Sequence, residues 1–391
     1  MSQLHRQQGQ TPPDPHEFAR PNTFEVDLDA ISSNVREVRR FVGPGVRVFA
    51  ALKANAYGFG LLQVAEVMQD SGVDTICVAD LSDAVRLRGH GIRIPILLYA
   101  GNLVDAPTVR AIEDLSLMAT VTDIEIARAY SSLARHPLPV MAKVDVGLER
   151  LGLPIDGAAG VIRDVCRLPN LRLEGIYAHL HAAQPAGPPD YVQWQLGRFT
   201  AVLDEARSVG VDIGVAAAAS TPVLPRYGTG GFNGVDVGRL LYGSLRSDRD
   251  ATGPMAIRNA FRSLRSRLLQ VKPISRTMHL AEAPFPIRPG MRMGIACIGY
   301  ADGLDFLNCG YALVGGRRAP LLGGPSLEHT RLDLTDIPSA QVGDEVVFVG
   351  RQEAAEITPD DVLAHLGLEQ PAKMATSVRD SVRRVYLRSD R

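Results

Sequence analysis

Hydrophobic and polar positions along this chain follow two rhythms. Phe24 to Leu28 alternates as a strand does, and Asp27 or Asp29 can cap the helix that follows. From there, short β-branched runs alternate with turns and amphipathic, helix-like segments. The runs are Val46–Leu52, Asp74–Ala79, Ile94–Tyr99, Ser116–Val121, Val140–Asp145, Leu173–His179, Ile213–Ala217 and Val235–Gly238. Segments such as LLQVAEVMQDSG, SDAVRLRGHG, GAAGVIRDVCRL and WQLGRFTAVLDEARSVG separate them. Parallel strands need crossover helices, and eight such units close a sheet on itself. The pattern predicts an α/β chain built on a (β/α)8 TIM-type barrel, with a doubly wound open sheet as the competing arrangement.

After about Arg262 the rhythm changes. MRMGIACIGYADG, YALVGGRRAPLLGG, RLDLT and GDEVVFVGRQ alternate with period two between Gly- and Pro-containing turns. That predicts a C-terminal β-rich domain, interrupted by one helix-like stretch, TPDDVLAHLG. The expected organisation is a disordered leader over 1–22, the barrel over 23–260 and the β-rich domain over 261–391.

Composition narrows the partners. Formal net charge is −1 with acid and base interleaved, which argues against nucleic acid or lipid as the main partner. No apolar stretch reaches the ~18 residues of a membrane span. The leader lacks the apolar centre of a signal peptide, so a cytoplasmic location is expected. Cys77, Cys166, Cys297 and Cys309 are far apart and read as reduced, mostly buried thiols.

One stretch carries chemistry. ALKANAYGFG places Lys53 where the first barrel strand should end, on the face where such barrels keep their active sites. A lysine at a strand end can simply snorkel to water. At the rim of an apolar mouth it is partly desolvated, which frees its amine for Schiff-base chemistry.

The motifs around and after it resemble the alanine racemase family. They are EVDLDAISSNVREVRRFV, ALKANAYGFG, AKVDVGLERLGLP, LEGIYAHLHAAQ, AAASTPVL, VGRLLYG, GYADG, RLDLT, VGDEVVFVG and RRVY, in family order from Phe24 onward. KANAYG and GYADG at this separation are the specific pair. The resemblance implies a fold-type III pyridoxal 5′-phosphate enzyme with an amino-acid substrate, working as a head-to-tail homodimer.

It also implies roles. Lys53 would bind the cofactor and act as the base on one face of the substrate Cα. Tyr300 of GYADG would serve the other face from the partner subunit. A tyrosine titrates near ~10 and needs cationic or hydrogen-bonding help to do so. Ser220, with backbone N–H groups of Gly238 and Arg239 and with Tyr57, would hold the phosphate. Arg150 would face the cofactor hydroxyl and the substrate carboxylate, a bidentate task suited to guanidinium. Lys143 matches a family lysine that is often carbamylated and steadies that arginine. His179 would pack near the pyridine. His181, two residues on, has no implied role, and no metal is expected.

The chain departs from the family at the cofactor. Where the family has an arginine facing the pyridine nitrogen, DVGRLLYG places Asp236. A carboxylate there keeps the ring protonated and deepens the electron sink. Leu327 and Glu328 replace a Met-Asp pair near the substrate, Ala219 replaces an asparagine, Asp380 a phosphate-contacting tyrosine and Ser381 an arginine. The leading expectation is a racemase or epimerase with Lys53 and Tyr300 as opposed bases. The alternative, favoured by Asp236, is another carbanion reaction: an aldolase, transaldolase or decarboxylase.

Overall fold

The computed structural model describes residues 19–181, 190–218, 220–246, 252–274, 285, 287–288 and 290–389. Most of the expected leader, and Ala219, lie outside them. Two compact units result: residues up to 25 with 262–369 and 377–385, and residues 26–261 with 370–376 and 386–391.

The larger unit begins as strand β1 (Thr23–Asp27) ends. Asp27 rather than Asp29 caps the helix Leu28–Val42, accepting the Ala30 N–H at 2.7 Å. The eight apolar runs then appear in order as β2 (Arg47–Ala51), β3 (Thr75–Val78), β4 (Ile96–Leu98), β5 (Ala119–Val121), β6 (Leu138–Asp145), β8 (Leu171–Ala178), β9 (Val215–Ala218) and β10 (Gly234–Val237). A two-residue β7 (Leu153–Pro154) lies against β6. The parallel order is β4-β3-β2-β10-β9-β8-β6-β5, and a parallel bridge between Leu97 and Met118 joins its two ends. The sheet is therefore the expected barrel and not the open alternative.

Why these runs make a barrel is visible in its interior. Phe49, Cys77, Leu97, Met141, Tyr177, Val215 and Ala217, from six strands, pack into one buried cluster. Burying each larger side chain contributes about 1.5–3 kcal/mol, and a closed ring lets every strand take part. The outer faces pack under helices such as Ala158–Arg167 and Asp190–Ser208, where Ile162, Val165, Phe199 and Val202 are fully buried. Strand ends are thereby fixed, and the residues just beyond them share one rim.

The second unit is a largely antiparallel assembly of β1 with β11 (Phe261–Pro273), β12 (Arg292–Ala296), β13 (Tyr311–Val314), β14 (Arg317–Pro320), β15 (Thr330–Asp333), β16 (Glu345–Gln352), β17 (Ala355–Ile357) and β18 (Arg383–Leu387). The β13–β14 hairpin turns through Gly315 and Gly316 at φ 56° and 68°, the double positive φ that a two-residue turn of this twist demands. TPDDVLAHLG forms the helix Pro359–Leu366, opened by reciprocal bonds between Thr358 and Asp361. The last residues assigned to the leader are tied down here: the Asn22 amide donates to the Cys297 carbonyl at 2.7 Å and accepts from Ser266 Oγ at 2.7 Å. Among the described residues no helix is long and apolar enough to cross a membrane.

Candidate active site

Beyond the C-terminal ends of the barrel strands lies a cavity of about 650 Å³. Lys53, Tyr57, Arg150, His179, Ser220, Asp236, Gly238 and Arg239 all line it. So do Tyr99, Lys143, Tyr177, His181, Gln370 and Ala372. Among the lining residues Lys53, Lys143, Arg150 and Arg239 are cations, and Asp236 is the one acid. The mouth is built for an anion.

Lys53 follows β2 and opens a turn of unexpected hand. Ala54, Asn55, Ala56 and Tyr57 all have φ between 52° and 55°, so four consecutive non-glycine residues wind left-handed. The Asn55 side chain accepts the Leu61 N–H at 2.8 Å, and Gly58, at φ 87°, ends the turn. Lys53 Nζ stands 5.9 Å from the Tyr99 ring centre. Tyr57 leans on buried Tyr242, ring centres 5.2 Å apart, and its hydroxyl crosses Gly238 so closely that a Cβ there would sit 2.5 Å from it. Only glycine leaves that approach open. Burial first, then the charge of Asp236, pushes the Tyr57 phenol up to about 12, so it stays a neutral donor.

Ser220, 6% exposed, sits just past β9. Its hydroxyl has no hydrogen-bond partner among the described residues, whereas neighbouring Thr221 spends its own on the Leu240 N–H at 3.1 Å. A buried hydroxyl without a partner costs free energy unless a ligand satisfies it.

Arg150 is placed by a loop that Asp145 organises. The Asp145 carboxylate, at the end of β6, accepts N–H groups from Gly147, Leu148, Glu149 and Arg150 at 2.9, 2.8, 3.1 and 2.7 Å. Desolvation opposes ionisation, yet these donors hold the carboxyl below its ordinary range. Among the described residues no ion pair takes up the Arg150 guanidinium, so neither Glu149 nor Asp145 neutralises it. Lys143, 8% exposed on β6, has its amine 5.8 Å from the Tyr177 ring centre; burial, with Arg150 and Lys53 nearby, lowers its pKa against the pull of Asp236. His179 is pushed down to about 4 by burial and then by Lys53, Arg150 and Lys143, so its ring is neutral. His181 lines the same wall, with its ring 6.4 Å from Tyr191. Among the described residues no group of three metal-ligating side chains is assembled.

Asp236, on β10, accepts a 2.7 Å hydrogen bond from Tyr99, which the sequence marked only as the end of a strand. Tyr99, Gln370 and Ala372 carry no motif, and only the fold reveals them as cavity residues. Asp380 is not among the lining residues; its carboxylate is exposed and pairs with Arg384 at 3.5 Å.

Tyr300 and Leu327 belong to the strand-rich unit and do not line this cavity. The structure brings them together there. Tyr300 donates its N–H to Ser326 at 2.9 Å and Ala301 to Leu327 at 3.0 Å. Both side chains are exposed, 49% and 53%. Glu328 and buried Asp302, either side of this pairing, are bridged by Arg20.

Comparison with known proteins agrees with this layout. The family described as alanine racemase, N-terminal domain, matches residues 26–246, and that described as alanine racemase, C-terminal domain, matches 262–386. Alanine racemase 2 of Caldanaerobacter subterraneus subsp. tengcongensis is 31% identical over 94% of this chain and 95% of its own. The alanine racemase of Geobacillus kaustophilus is 34% identical over 90% and 91%. Among solved structures, alanine racemase from Bacillus anthracis with bound L-Ala-P superimposes with a TM-score of 0.84 at 26% identity, covering 94% of this chain and 95% of that one. Alanine racemase from D-cycloserine-producing Streptomyces lavendulae gives 0.82 at 26% identity over 95% and 98%. With both family matches covering the two units and relatives above 30% identity along nearly the whole length, the chain belongs to the alanine racemase family, a family of isomerases.

Proposed function

We propose that this protein is a pyridoxal-phosphate-dependent amino-acid racemase. One observation carries the reading: a lysine at the end of a barrel strand converges on one cationic cavity with a buried serine hydroxyl and an arginine that have, among the described residues, no hydrogen-bond partner and no ion pair respectively. Those groups fit the cofactor. Ser220 Oγ, the Tyr57 hydroxyl and the N–H groups of Gly238 and Arg239 would hold its phosphate, and Lys53 its aldehyde carbon. The bound group supplies electron withdrawal that acidifies the substrate Cα–H. Arg150 would orient the substrate carboxylate, and neutral His179 would pack on the ring without competing for its charge. Lys53 would take or return the Cα proton on one face. Tyr300, exposed on the strand-rich unit, would serve the other face from the second subunit of a head-to-tail homodimer.

The test begins with the cofactor. Pyridoxal phosphate added to the protein, followed by borohydride and peptide mapping, should leave the label on Lys53; a protein that takes up none ends the proposal. A panel of L- and D-amino acids in D₂O should then show deuterium at Cα with loss of optical rotation. Tyr300→Phe should slow exchange from one enantiomer far more than from the other, and equal loss would contradict the two-base scheme. Asp236 favours a second reading, an aldolase or decarboxylase on the same scaffold. Release of CO₂ or of a side-chain aldehyde in the same panel would select it.

A further inference from the structure

The hydrogen bond between Tyr99 and Asp236 joins residues 137 apart in sequence and spans strands that are not neighbours. Asp236 lies on β10, which pairs with β2 and β9; Tyr99 follows β4, on the far side of β3. The bond therefore crosses the barrel mouth. Tyr99 is itself fixed: its N–H donates to Val78 at 2.8 Å, its carbonyl accepts Asn102 at 3.1 Å, and its ring lies 6.3 Å from that of Tyr177. The Cys77 thiol stands beside the same hydroxyl. Tyr99 holds Asp236 Oδ1, and among the described residues nothing hydrogen-bonds Oδ2.

We propose that Tyr99 is a positioning residue: its hydroxyl holds one oxygen of Asp236 across the barrel mouth so that the other accepts the protonated ring nitrogen of bound pyridoxal phosphate. This rests on the functional reading above and adds to it the group that decides whether Asp236 is an acceptor. Titratable groups facing Asp236 are Lys53, Tyr57, Cys77, Lys143 and Tyr177, besides Tyr99. Among the described residues only Tyr99 donates to it. Burial is the larger influence and raises the Asp236 pKa above the usual carboxylate value; Tyr99 first, then Lys53 and Lys143, pull it back toward the carboxylate. Burial and the nearby Asp236 charge also keep the Tyr99 phenol protonated, so it remains a donor. Without that donor the carboxyl moves toward its neutral form, which offers the nitrogen a proton instead of accepting one. The ring would then lose its own.

The experiment uses the holoprotein loaded with pyridoxal phosphate labelled with ¹⁵N in the ring, whose nitrogen shift is followed against pH. Wild type should show a protonated nitrogen through neutral pH. Tyr99→Phe, which keeps the ring packed on Tyr177, should lower its deprotonation midpoint by about one pH unit, a tenfold loss of proton affinity. Tyr99→Met should do the same, and Asp236→Asn should lower it further. A merely structural Tyr99 would change melting but not this shift. A wild-type profile in Tyr99→Phe overturns the proposal. So does a wild-type nitrogen that is unprotonated and indifferent to Asp236→Asn; racemisation and Lys53 labelling in the same sample would then leave the racemase reading standing. Absence of label on Lys53 in wild type would remove that reading and this one together.

Discussion

Two segments bring a cation to one cavity by opposite means. The Lys53 turn is strained, and distant parts of the barrel unit hold it. Four successive left-handed residues cost about 1–2 kcal/mol each relative to ordinary backbone. Against this stand buried Ala56, the stack of Phe59 on Tyr242 at 5.1 Å, and the seat of Gly58 on the Ala375 carbonyl. The Arg150 loop needs none of that reach. A single carboxylate five residues back collects its N–H groups, and only Glu149 among its non-glycine residues has a positive φ. The first device fixes a backbone rigidly at the cavity wall; the second fixes a loop locally and leaves a long guanidinium to reach into the same cavity. If the proposed function holds, the first is where the cofactor's aldehyde would be met and the second is what would follow the substrate carboxylate.

Breaking each should fail differently. Gly58→Ala is the larger insult: its φ of 87° disfavours a side chain, and a Cβ would run into the Ala375 carbonyl. About 3 kcal/mol of stability should go, read as a lower urea midpoint, together with slower labelling of Lys53. Unchanged stability would show that the turn does not depend on that seat. Asp145→Asn should cost less, about 1–2 kcal/mol, because one amide oxygen still accepts but without charge. Turnover should fall about tenfold through misplacement of Arg150 while labelling of Lys53 persists. The sign of its pH dependence follows from the lowered carboxyl. The unfolded state takes up that proton first, so the Asp145 contribution is complete above the ordinary carboxylate range and is lost as pH falls through the folded value. In the Asp145→Asn variant that acid-side loss should shrink; an identical acid limb would place the loop's stability elsewhere.

The same contrast separates what the sequence discloses from what it hides. All eight barrel strands were legible because strands of a closed parallel sheet are continuous apolar runs between helices. That Lys53, Ser220 and Asp236 would meet at one rim was legible because strand ends and motifs coincide. The hand of the turn after Lys53 was not: Ala-Asn-Ala-Tyr contains no glycine, and its local preference is right-handed. Packing against Ala375 and Tyr242 overrides that preference, and no local reading contains those partners. Tyr99 was hidden for the same reason, since its meaning is a bond to a residue 137 positions away. Gln370 and Ala372 lie on a segment that rejoins the barrel unit after most of the strand-rich unit has passed, which a linear division at about 260 does not anticipate.

The smallest test asks whether the strain of the turn is stored there. Ala54 is exposed and left-handed at φ 54°, so glycine would lift its Cβ penalty without opening a cavity. The relief is about 1–2 kcal/mol and the added freedom of the unfolded chain costs about 0.5–1 kcal/mol. Ala54→Gly should therefore stabilise the protein by roughly 0.5 kcal/mol, seen as a slightly higher melting temperature with the cofactor colour unchanged. In the Arg150 loop, Leu148→Gly relieves nothing, because Leu148 is absent from the positive-φ residues, and should destabilise by the glycine entropy and by the loss of its partly buried side chain. If Ala54→Gly were destabilising to the same degree as Leu148→Gly, the two rims would not differ in kind, and the left-handed turn would carry no strain for packing to offset.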